Sequence, residues 1–278
     1  MTTVPFSLTR TWLIAHNTLR EAARQKLFNF LLFLALALVL GARWFRDFNF
    51  GAPELKFLAD CGFGAMAFFG AALTITATAQ LFFSEIENRT VLTLLAKPVW
   101  RAEFVVGKFL GIVALAGVFC GLLTVLLAAV LWWREGELMR EWPENFAQGR
   151  AVSYAMVALG GLMQWLKLVV LAAFALLVAS FAQTQLFTVV TGFFILVICH
   201  LQHLAQDAYA RAGATLGMLL SGFIAALFPN FQVFALADSL AAADLPAGAL
   251  VGRVAAYALG YVVVVGALAV FSFRKREI

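Results

Sequence analysis

Long apolar runs, each closed by a small group of charges, set the rhythm of this chain. A helix needs about 20 apolar residues to cross a hydrocarbon layer about 30 Å thick. Runs at 27–42, 61–83, 104–133, 164–181, 186–204 and 254–273 therefore predict six spanning helices. Lys26 and Arg43 bound the first, Lys108 alone interrupts the third, and Arg274-Lys275-Arg276 closes the last. The polar turn Gln183-Thr184-Gln185 separates the fourth from the fifth. A further apolar stretch, 212–228, carries Gly213, Gly217 and Gly222 and stops at Pro229-Asn230. Counting it as a seventh span would place the basic C-terminus opposite the basic N-terminus. It reads instead as a re-entrant or interfacial hairpin within an outer region spanning 205–250, buried against protein as irregular backbone at membrane depth must be.

Composition agrees. Of 278 residues, 63% are hydrophobic and 13% charged, and the mean hydropathy is +0.92. Soluble domains are about half apolar and a quarter charged, so a soluble fold, disorder and a disulfide scaffold are excluded. The fold class is all-α: one polytopic membrane domain over 1–278. The net charge of +5 bears on topology and lipid headgroups rather than on nucleic acid. Basic residues gather in the N-terminal segment, in 84–108 and at the C-terminus, whereas acids dominate the opposite connections. The Lys/Arg bias puts both termini inside, which an even count of spans satisfies. Cys61, Cys120 and Cys199 form no CxxC pair and read as small buried hydrophobes. The polar, basic opening of 26 residues predicts no cleavable signal sequence.

Several residues break the apolar pattern. Residues 8–25, within an elbow at 1–26, form an amphipathic helix. Leu8, Trp12, Ala15, Leu19, Ala22 and Ala23 share one face, with Arg10, Asn17, Arg20 and Arg24 opposite, a pattern suited to an interface. Lys167 has two readings. In a span beginning at Gln164 it lies one turn inside the outer surface and snorkels beside Trp165; in a span over 151–180 it sits near the midplane and marks a polar cavity. The shorter span favours snorkelling. Thr74 and Thr78 are candidates for a substrate path with Lys167, although such hydroxyls commonly bond their own helix. His200, His203 and Asp207 share a helix face and are weak candidates for a metal, against the plainer reading of a polar helix end. Trp132, Trp133, Trp142 and Trp165 read as interface anchors. No catalytic set and no GxxxxGK[ST] loop is present, so the chain is expected to bind no cofactor and to be no enzyme.

The connection at 84–103 carries the most information. Residues 89–96 form a short amphipathic helix that Pro98 stops; Val91, Leu92, Leu94 and Leu95 present more apolar surface than an idle loop needs, as a helix docking in a partner's groove would. Glu85 or Glu87, Thr90, Leu94, Leu95, Pro98 and Arg101, followed by Gly107-Lys108 opening the third span, resemble the type-two ABC transporter permeases, particularly the NosY-like branch associated with multicopper-enzyme maturation. Arg89 stands where a glycine commonly precedes the threonine. The resemblance implies a permease subunit of an exporter in a bacterial inner membrane, with both termini cytoplasmic. It implies pairing with a second permease copy or paralogue and with separate ATP-binding subunits, which carry the ATP and Mg. Glu85, Glu87, Arg89, Thr90, Leu94, Leu95, Pro98, Arg101 and Lys108 would then couple the chain to the ATPase. The rival class is an ATP-independent secondary transporter, whose internal repeats are not evident here.

Overall fold

The structure, a computed structural model, describes residues 6–42, 44, 54–87, 100–146, 149–212, 222–223, 227–235 and 248–275. Seven helices are described: α1 (Leu8–Ala23), α2 (Lys26–Gly41), α3 (Glu54–Glu87), α4 (Arg101–Glu141), α5 (Tyr154–Phe181), α6 (Gln185–Ala212) and α7 (Gly248–Arg274). Short 3-10 turns lie at Pro143–Phe146 and Phe231–Phe234. Among the described residues there is no strand. Helices α3 to α7 are each long and apolar enough to cross a membrane. At 16 residues, α2 is only about 24 Å long; joined to α1 across a 64° bend it makes up a sixth candidate.

The apolar runs locate the spans but underestimate their length. Helix α3 begins seven residues before its predicted start and α4 continues to Glu141. Helix α5 begins at Tyr154, ten residues before Gln164. It is the centre of the bundle, touching α3, α4, α6 and α7. Its glycines permit close approach: a Cβ on Gly160 would overlap Phe63 of α3, and one on Gly161 would overlap Thr124 of α4. In contrast, α6 exposes Leu186, Phe193, Phe194 and Leu201, and α7 exposes Leu259, Val263, Val264 and Leu268. Apolar faces of that extent belong against lipid or another protein.

Helix α4 carries its own depth scale. No charge occurs between Lys108 and Arg134, yet both cations are buried and paired with carboxylates. Twenty-six steps of helix separate them by about 39 Å, against about 40–45 Å for a bilayer with its headgroups. Each end of the bundle is thus tied by ion pairs at the level where charge regains solvation.

The segment before α7 returns into the protein. Phe228 stacks on Phe174 of α5 at 6.1 Å, the Gln202 side chain of α6 donates to the Phe228 carbonyl at 2.9 Å, and Phe231 and Phe234 are buried. Residues 228–234 thus pack against α5, α6 and α7. Residues 213–221 and 224–226 lie outside the described residues.

Candidate functional site

A cluster at the Arg101 end of α4 is built by four elements. Helix α4 starts at Arg101, and Glu103 in its first turn reaches back to accept from the Trp100 backbone N–H at 3.1 Å, as an N-terminal capping carboxylate does. The same carboxylate, with none of its surface exposed, accepts from the Ser7 N–H at 2.6 Å and from Arg10 Nε and Nη2 at 3.1 and 2.7 Å. This hydrogen bond to Glu103 raises the Arg10 pKa above its ordinary value. One turn further on, Lys108, also buried, pairs with Glu85 at the end of α3 at 2.5 Å and lies 3.9 Å from Glu21 of α1. Arg101 donates to the carbonyls of Phe273 and Arg274, at 3.4 and 2.9 Å, closing the C-terminus of α7. Beneath these charges Phe82, Phe104 and Phe273 pack with ring centroids 5.3 to 6.0 Å apart. The start of α1, the end of α3, the start of α4 and the end of α7 therefore meet at one end of the bundle.

Helix α1 lies along the start of α4. Its buried residues are Thr11, Ala15, Thr18 and Ala22, a stripe rotated from the predicted apolar face, of which Leu8 and Trp12 are exposed. The helix thus has three faces: one packed on α4, one apolar and outward, and one basic. The packed face consists of small residues because Gly107 and Gly111 let the two backbones approach.

The middle of the bundle holds the second cluster. Lys167 stands at the centre of α5 and is 6% exposed. The snorkelling reading is thereby overturned: the helix runs from Tyr154, so the ammonium is far from either end and lies within the protein. It is 6.0 Å from the centre of the Phe231 ring, and the His200 ring meets the same phenyl edge-on at 5.4 Å. Trp165 is not a free interface anchor either; its indole N–H donates to the Val113 carbonyl at 3.0 Å, fastening α5 to α4. Trp132, Trp133 and Trp142 are exposed. Thr74 and Thr78 are buried, and each bonds the carbonyl four residues earlier. The Nδ1 atoms of His200 and His203 face the carbonyls of Leu196 and His200. Among the described residues no group of three metal-ligating side chains occurs; the Asp207 side chain is outside them.

Residues 12–278 match the family described as ABC-2 family transporter protein. The chain belongs to the ABC-2 transporter family. Nothing among curated proteins matches it. The family match is at the level of the family and does not select the NosY-like branch. Of the coupling residues expected from sequence, Glu85, Arg101 and Lys108 come together at one end of the bundle. Arg89, Thr90, Leu94, Leu95 and Pro98 lie outside the described residues, as does the Glu87 side chain. Arg10, Glu21 and Glu103 belong to the same cluster through ion pairs whose partners are too distant in sequence for spacing to reveal.

The ABC-2 bundle has a matching tie at its other end. Arg134 of α4, with 5% of its side chain exposed, meets Glu54 of α3 through Nε and Nη2 at 2.6 and 3.1 Å, and Glu137 through Nη1 at 2.7 Å. Buried Glu135 accepts from the Val152 N–H at 3.0 Å and the Tyr154 hydroxyl at 2.6 Å, fixing the start of α5. A cavity of about 430 Å³ opens beside them, lined by Leu55, Leu131, Trp142, Phe146 and Val152 among others. Replacing Arg134 by methionine is expected to lower stability by about 2 kcal/mol. That is less than a fully buried pair would lose, because Glu54 and Glu137 are partly solvated. Denaturant unfolding in mild detergent measures it, and in the Glu54→Gln background the effect should shrink.

Proposed function

We propose that this ABC-2 membrane subunit is the permease half of an ATP-driven exporter, working as a pair of permease chains on two separate ATP-binding subunits. The segment between α3 and α4 would be the docking element, with both termini and that segment on the cytoplasmic side of a bacterial inner membrane. The observation that carries this reading is the convergence of α1, α3, α4 and α7 on Glu103, Lys108 and Arg101, the residues that flank the segment. A push on a segment held between Glu85 and Arg101 would reach four helices at once, because no flexible joint lies between the described flanks and the packed phenylalanines. Ion pairs buried at such a joint are stiff, and breaking one costs several kcal/mol, so motion is passed on rather than absorbed.

The test uses the complex in proteoliposomes. The wild-type chain should co-purify with its ATP-binding partner and alter that partner's ATP hydrolysis. Leu94→Asp with Leu95→Asp should abolish both effects while leaving membrane insertion and monodispersity unchanged. Retained co-purification in that variant, or solute movement without any ATP-binding subunit, would refute the reading.

A further inference from the structure

Lys167 is an unusual expense in this fold. It sits at mid-bundle, and among the described residues no carboxylate pairs with it; its neighbours include the face of Phe231, the Cys120 thiol of α4 and His200 of α6. The contrast with the other buried cations is direct: Lys108 and Arg134 each have carboxylates within 2.6 Å. One helical turn toward the outer end, on the same side of α5, Gln164 is 9% exposed, and its Oε1 is buried with no hydrogen-bond partner. An amide turned by 180° would present its N–H2 donors at that position. The surrounding groups are His200 of α6, the phenyl of Phe231 and the buried free thiol of Cys120 on α4, so the described surroundings supply polar hydrogens and a ring but no carboxylate. A buried cation with no counterion costs several kcal/mol, and an apolar residue of the same shape would be more stable. Sites that retain such a cost are sites where stability gives way to binding.

We propose that Lys167 and Gln164 form an internal binding point for an anionic oxyacid group, phosphate or carboxylate in kind, on the molecule this protein transports. The proposal deepens the transport reading and rests on it. The ligand's charge would supply the missing partner of Lys167, its oxygens would accept from the ammonium and the Gln164 amide, and its apolar portion would meet Phe231. Such an anion could arrive free or as the head of an amphiphile; the two differ in whether a chain is needed for binding.

The experiment needs neither nucleotide nor an ATP-binding subunit, so its failure is separable from failure of the docking reading. The chain is placed in phosphatidylcholine nanodiscs and titrated with inorganic phosphate, dodecyl phosphate and dodecyltrimethylammonium by calorimetry. Saturable binding of either phosphate, and none of the cation, is expected; binding by the dodecyl form alone identifies an amphiphile as the source. Lys167→Met should weaken phosphate binding by about ten- to a hundred-fold, the range of a lost charge-assisted hydrogen bond, while Lys167→Arg retains it. The unfolding midpoint of Lys167→Met should equal or exceed the wild type, which separates lost binding from lost structure. Should that variant fail to fold, Gln164→Leu provides the reading, with weakened phosphate affinity expected. Equal phosphate affinity in a folded Lys167→Met, or binding of the cation as well as the anion, would overturn the proposal, as would no phosphate binding by the wild type.

Discussion

Glu103→Ala is expected to lower the stability of the chain by about 2–3 kcal/mol, below the range for a fully buried ion pair because Arg10 is partly solvated, and to disconnect α1 from α4. The carboxylate is fully buried and accepts four hydrogen bonds, two from Arg10 and one each from the backbone of Ser7 and Trp100. Alanine leaves a guanidinium and two N–H groups facing a gap. Arg10 keeps some contact with solvent, so its own stranding is partly relieved, whereas the capping of α4 is lost outright. Arg10→Ala should be damaging from the other side, since it leaves a buried carboxylate with only two backbone donors. The double substitution Arg10→Leu with Glu103→Leu should lose less than the sum of the singles, because an apolar pair of similar volume costs no desolvation. Denaturant unfolding of the four proteins in mild detergent measures these differences. Additive losses would show that the two side chains do not act as a unit. If the inner end also transmits motion, the folded fraction of Glu103→Ala should show uncoupled ATP hydrolysis in the assembled complex.

The spans were legible because twenty apolar residues in a row have few alternatives, and the charges at 26, 108 and 274–276 marked their ends. Helix ends were less legible. The predicted fourth span began at Gln164 with Lys167 one turn inside it, yet glutamine and lysine are both good helix formers, and α5 runs on through them to Tyr154. The shorter span put Lys167 near the surface; the longer helix makes it an interior residue. The cluster at the start of α4 was half legible. The Gly-Lys pair at 107–108 and Glu85 drew notice by resemblance, but Glu103 was only one acid in a loop, because its main partner lies 93 positions away. The packed face of α1 was invisible for another reason. Thr11, Ala15, Thr18 and Ala22 contribute little hydropathy, and what selects them is shape, read only against the glycines of α4.

That shape match makes the second large effect. Gly111→Leu is expected to drive α1 off α4. A Cβ at Gly111 would fall 2.6 Å from the Thr18 Cβ and 2.8 Å from the Ala15 carbonyl oxygen; at Gly107 it would fall 2.7 Å from the Ile14 Cβ and 3.0 Å from the Thr11 carbonyl oxygen. Carbonyl oxygens cannot rotate away as side-chain tips can, so the whole of α1 must move. For Gly111→Ala the α1 backbone must back away until those contacts clear, at about 1–3 kcal/mol, the usual cost of overpacking. Leucine leaves no such solution. Displacing α1 also withdraws Arg10 from Glu103 and Glu21 from Lys108, since both acid–base contacts span the same interface. The loss should therefore exceed that of Gly111→Ala by more than the extra volume alone predicts. Spin labels at exposed Trp12→Cys on α1 and Leu110→Cys on α4 report the separation directly. The wild-type background should give one narrow distance, and Gly111→Leu a longer and broader one. An unchanged distance in Gly111→Leu would mean that α1 is held by its ends and not by the glycine groove.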